Sequence, residues 1–192
     1  MACNIPEECK LDLWAKVIIA KNVRTNEPIL GSFDEYGEPV PAELTVSDLA
    51  ENETVECIDD FKIVYTQDEV TENFICSNKV ILSVPATGYF WIKTNLGFKT
   101  LTITFTYTVT ILVSDFIKPD GTPLTSQEFK TKVDQSKAVL CNYELAYLNV
   151  LPKTEPTEQV IQVIVTATVI DKLGKYQDVI VYGYIEDLGC DS

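Results

Sequence analysis

The sequence predicts an all-β protein: a single antiparallel sandwich or jelly-roll-like domain with short cysteine-bearing N- and C-terminal tails. Three observations carry that expectation. β-Branched and aromatic residues cluster in runs of strand length, bounded by Gly, Pro, Asn and Asp. The stretch TLTITFTYTVTI, from Thr100 to Ile111, alternates threonine with an apolar residue at every step, which is the period of a strand with two unlike faces. The 192 residues suffice for one domain that buries roughly 70% of the surface its unfolded chain exposes.

Residues 1–14, MACNIPEECKLDLW, read as a cysteine-bearing leader. They are acidic and broken by Pro6, and lack the basic start and apolar run of a secretory signal. The β-domain is expected over 15–186, opening with the strand AKVIIAKNV from Ala15. From Thr25 to Cys57 the chain is rich in proline and acid and reads as an irregular excursion with one brief strand. Strands are then expected at FKIVYT from Phe61, NKVILSV from Asn78, GYFWIKT from Gly88 and the threonine run. PDGT from Pro119 has turn chemistry. Thr125 followed three positions later by Glu128 has the form of a capping box opening a short helix over SQEFKTKVDQ. The last strands are AVLCNYELAYLNVL from Ala138, EQVIQVIVTATVI from Glu158 and DVIVYGYI from Asp178. Between the final two, DKLGKYQ from Asp171 contains Gly174 and reads as a hairpin connection that makes them antiparallel neighbours. Residues 187–192 form the C-terminal tail. Eight such strands point to a sandwich, jelly roll or barrel.

Charge narrows the partners. With 15 basic residues against 29 acidic ones, the formal charge is −14, which repels phosphate backbones and anionic headgroups. Nucleic acid is therefore not an expected partner. No segment approaches the roughly 20 apolar residues of a helical span, so no membrane insertion is expected.

Catalytic equipment is sparse. The chain has no histidine, so a cysteine nucleophile lacks its usual base. The loop acids Asp34, Glu35, Asp59, Asp60, Asp68 and Glu69 read as solvated groups rather than as two carboxyls roughly 5–10 Å apart across a cleft. No CxxC pair, DxDxDG calcium loop or GK[ST] phosphate loop occurs. The chain is expected not to be an enzyme and to hold no metal and no cofactor.

What remains is contact chemistry. Thr102, Thr104, Thr106 and Thr108 form a long uncharged outer face suited to packing between identical subunits. Tyr89, Trp91 and Lys93 share a face opposite Phe90 and Ile92, and stacking of a sugar ring on Trp91 is the alternative use of an exposed face. Cys3, Cys9 and Cys190 lie on the tails, where chains cross-link to other chains, and are candidates for disulfides between subunits. Cys57, Cys76 and Cys141 fall in or beside apolar strand segments and read as further disulfides or buried thiols.

A cysteine-bearing leader (MACNIPEEC), a β-rich body, a cysteine three residues from the C-terminus and no signal peptide together resemble, in organisation, structural proteins of the outer layers of bacterial endospores. These are the cysteine-rich lattice proteins of the exosporium and the subunits of disulfide-linked endospore appendages. Appendage subunits carry adjacent leader cysteines, whereas Cys3 and Cys9 stand six apart. The resemblance implies synthesis in a mother cell, arrival at a cell or spore surface without a signal peptide, and copies of itself as partner. It also implies that Cys3 and Cys9 reach cysteines of neighbouring subunits, with Cys190 as another bridge. The expected function is a self-assembling subunit of a surface fibre or two-dimensional array, reinforced by disulfides. A carbohydrate- or surface-binding sandwich and a virion or phage-tail structural protein are the alternatives.

Overall fold

A computed structural model describes the backbone of residues 9–75, 78–132 and 135–183, and the side chains of 15–75, 78–130 and 137–176. Ten strands form two four-stranded antiparallel sheets and one small hairpin. In the first sheet the central strand is β10 (Gln159–Gly183). One of its edges pairs with β9 (Gln135–Val150); the other pairs with β1 (Cys9–Leu30) and then β4 (Ala42–Val46). β1 and β4 lie in line, since Leu30 stands opposite Val165 and Ala42 opposite Val163. Between them the hairpin of β2 (Ser32–Phe33) and β3 (Pro39–Val40) leaves the sheet and returns.

The second sheet repeats this plan. Its central strand β7 (Lys79–Thr94) pairs along its full length with β8 (Gly97–Leu112). The opposite edge is shared by β5 (Val55–Tyr65) and β6 (Thr71–Ile75). Pro85 sits inside β7 without disrupting it. β5 ends opposite Ala86 and β6 begins opposite Ser83, so that edge of β7 has no partner strand at Pro85, where a residue without an N–H is tolerated.

The two sheets pack face to face around one core. On β10, Ile161, Val163, Val165, Ala167, Val169 and Leu173 alternate inward; on β7, Val80, Leu82, Val84, Ala86, Phe90 and Ile92 do the same. Among the described residues, polar ties join the sheets: the Val55 N–H donates to Gln159 Oε1 (2.8 Å), the Leu140 N–H to Tyr65 Oη (3.0 Å), and Tyr107 Oη to Glu27 Oε1 (3.2 Å). The molecule is thus an antiparallel sandwich.

Several local readings change. The excursion from Thr25 to Cys57 contains the end of β1, the β2–β3 hairpin, β4 and the start of β5. The two runs read as separate strands around Pro85 are one strand. The segment 71–75 is a strand where none was expected. The hairpin read at Asp171–Gln177 does not exist, because β10 runs straight through it. Asp171–Gly174 is paired on both edges, with Asn22–Ile18 of β1 and Ala138–Gln135 of β9, and two ladders hold the backbone extended. A Cβ at Gly174 would stand 2.5 Å from Lys16 Cε, so the Lys16 side chain lying over it would have to shift. The short helix α1 (Ser126–Lys132) forms as its capping box predicts. The Glu128 N–H donates to Thr125 Oγ1 (3.2 Å), and the Thr125 N–H to Glu128 Oε2 (3.1 Å).

Candidate assembly surface and an internal carboxyl pair

Strict alternation gives β8 two chemically distinct faces. Leu101, Ile103, Phe105, Tyr107, Val109 and Ile111 turn toward the core, and Thr100, Thr102, Thr104, Thr106, Thr108 and Thr110 are exposed. On the outer face of β7 the threonines meet Ile81, Ser83, Pro85, Thr87, Tyr89 and Trp91, each directly across the ladder. Ser83 and Thr108 share a hydroxyl–hydroxyl hydrogen bond of 3.2 Å. Tyr89 and Trp91 are 37% exposed, and Phe98 65%, so the aromatic end of this face is open. Phe90 and Ile92 are fully buried on the other side. No other described strand pairs with the free edge of β8. From Gly97 to Leu112 the strand contains no acid and one cation, Lys99.

The cysteines are distributed unevenly over the described residues. Cys9 opens β1 opposite Gly183, within the segment read as a leader. Cys57 on β5 and Cys141 on β9 are half-buried free thiols. Cys3, Cys76 and Cys190 lie outside the described residues.

Sequence reasoning missed an internal polar site. Asp171, on the inward face of β10 between Val169 and Leu173, is fully buried. Its carboxyl and that of Glu72, on β6 of the opposite sheet, act on each other electrostatically. Burial raises both pKa values above the ordinary carboxylate range; Asp171 raises Glu72 further, while Lys16 acts in the opposite sense on Glu72. Neither Asp171 oxygen, nor Glu72 Oε1, nor the buried Asn22 Oδ1 has a hydrogen-bond partner of good geometry among the described residues, although Glu72 and the Lys172 backbone each act to lower the Asp171 pKa against the larger effect of burial. A cavity of about 440 Å³ opens beside Glu72, lined also by Lys16, Gln67, Asp68, Val70, Phe74 and Lys137.

Glu53 shows the contrasting case. It is also buried, but accepts from the Ala50 N–H (3.0 Å) and Thr94 Oγ1 (2.7 Å), with Lys99 Nζ at 3.5 Å. These donors, the Ala50 N–H first, lower its pKa. The loop around it is tied by Lys153 Nζ, which donates to the Ala50 and Glu53 carbonyls at 2.7 and 2.8 Å. Glu53 is a structural acid.

The chain matches no family model, no curated protein and no solved structure. The fold defines its class, an all-β two-sheet sandwich.

Proposed function

We propose that the protein is a self-assembling structural subunit whose copies join through β8. The carrying observation is that β8 is a sheet edge of 16 residues, unpaired by any other described strand and backed by an exposed row of threonines. A long edge without acids, bulges or proline is a template for pairing with another chain. In a chain of formal charge −14, an acid-free edge is also where two copies approach with least repulsion. The exposed Tyr89, Trp91 and Phe98 extend the contact, since aromatic residues are enriched in interface cores. Inter-subunit disulfides at Cys3, Cys9 and Cys190 on a cell or spore surface complete this reading, as the endospore resemblance implies.

The test is light scattering and electron microscopy of the oxidised protein, beside the variant Thr104→Lys/Thr106→Lys. Fibres or sheets from the parent, and monomers from the variant with an unchanged circular dichroism spectrum, support the reading. A parent that stays monomeric at high protein and salt concentration overturns it. In that case binding to a panel of polysaccharides, compared between the parent and Trp91→Ala, tests the sugar-stacking use of the same face.

A further inference from the structure

We propose that Asn22, Glu72 and Asp171 form a divalent-cation site of calcium type that clamps one sheet to the other. Among the described residues, every buried side-chain oxygen without a hydrogen-bond partner belongs to these three residues. They converge from three strands. Asn22 and Asp171 are direct partners across β1 and β10, so their side chains share a face with Cβ atoms about 5 Å apart. Asn22 is 8% exposed and Asp171 fully buried. The Asn22 amide has one possible orientation. Its Nδ2 donates to the Asp115 carbonyl (2.9 Å), which can only accept, so Oδ1 is the end left without a donor. Glu72 arrives from β6 of the opposite sheet, and its carboxyl feels the charge of Asp171.

Oxygen acceptors gathered without donors are costly unless a proton or a metal ion comes between them. Calcium takes six to eight oxygens, binds carboxylates in one- or two-toothed fashion and tolerates irregular geometry, whereas magnesium demands a near-ideal octahedron. One amide oxygen and two carboxylates meet most of the calcium requirement. Water from the cavity beside Glu72 can supply the rest. The other charged groups around that cavity are Lys16 from β1, Lys137 from β9 and Asp68 from the turn before β6. Lys16 is the cation whose charge already acts on Glu72, and it would compete with a bound metal. Two carboxylates and one amide are one acid short of a three-acid cluster, and no cluster of that kind occurs among the described residues. The amide completes this site.

The test uses the full chain, stripped with chelator and titrated with calcium chloride by calorimetry and thermal melting. The expected result is one saturable site per chain, a rise in Tm, protons released on binding, and affinity that weakens as pH falls. Glu72→Gln, which keeps the side-chain shape, should abolish the calcium response while remaining folded at pH 8. Lys16→Met should tighten binding. No heat and no shift in Tm up to about 10 mM calcium, above the range of weak extracellular calcium modules, would overturn the proposal. So would a calcium response that survives unchanged in Glu72→Gln. If Asp171→Asn fails to fold, the Glu72→Gln arm still decides the question.

Discussion

Glu53 and Asp171 are both buried acids, and they differ in their supply of donors. Glu53 is met by a backbone N–H, a hydroxyl and a lysine, whereas neither Asp171 oxygen has a hydrogen-bond partner among the described residues. The consequence is a pH dependence of definite sign. A carboxyl whose pKa is raised by folding binds its proton more tightly in the native state, so its contribution to stability is full below the unfolded value and lost as pH rises through the folded one. For the coupled pair Glu72 and Asp171 the loss falls as pH rises through the neutral range, above that of ordinary carboxylates. No histidine titrates in that window. Without metal, Tm should fall between pH 5 and pH 8.5, by about 2–4 °C for each kcal/mol lost. Glu72→Gln should flatten the profile, and an equally steep profile in that variant would refute the assignment. At Gly31 the constraint is the backbone. Its φ is +74°, and a Cβ would stand 2.9 Å from the Val163 carbonyl oxygen. Gly31→Ala should cost about 1–3 kcal/mol in urea unfolding.

Among the elements, α1 is the one whose start rests on side chains rather than on a ladder. Thr125→Ala removes the reciprocal cap and should cost about 1 kcal/mol, read as a lower urea midpoint at constant slope. The helix and β8 were legible because their signals are local: a cap spans four residues, and alternation can be read along one strand. In-line pairs such as β1 with β4 and β5 with β6 were not, because nothing within a strand says that it shares its partner's edge. Gly174 read as a turn for the same reason. The two ladders that hold it extended come from β1 and β9, both distant in the sequence. The trio at Asn22, Glu72 and Asp171 was hidden twice over, with Asp171 inside the supposed hairpin and Glu72 in a stretch given no strand. One signal was available: Val165, Ala167, Val169, Asp171 and Leu173 keep a single parity, and a lone acid on an otherwise apolar face calls for a partner.

For the whole molecule, charge opposes the association proposed through β8. The net −14 is screened as ionic strength rises, with a Debye length of about 10 Å at 0.1 M and about 3 Å at 1 M. Assembly through an acid-free edge should therefore strengthen with added sodium chloride, visible as growing scattering mass. Assembly that dissolves in salt would point instead to ion pairs between copies. Screening leaves disulfides intact, so salt and reductant should act independently on the assembled form.

The pairing of β1 with β10 also governs how the molecule comes into being. Among the described strands, the one made first finds its ladder in the one made last, Cys9 opposite Gly183 and Leu30 opposite Val165. On the ribosome, β5 to β8 can close into their own sheet while β1 still waits for a partner not yet synthesised. Contacts so distant along the chain fold slowly, and for that interval an unpaired strand and the free rim of β8 are exposed together on a half-built molecule. A nascent chain of this kind exposes more unpaired strand edge before β10 has emerged than after it, so the proposed contact between copies should form only once β10 has paired.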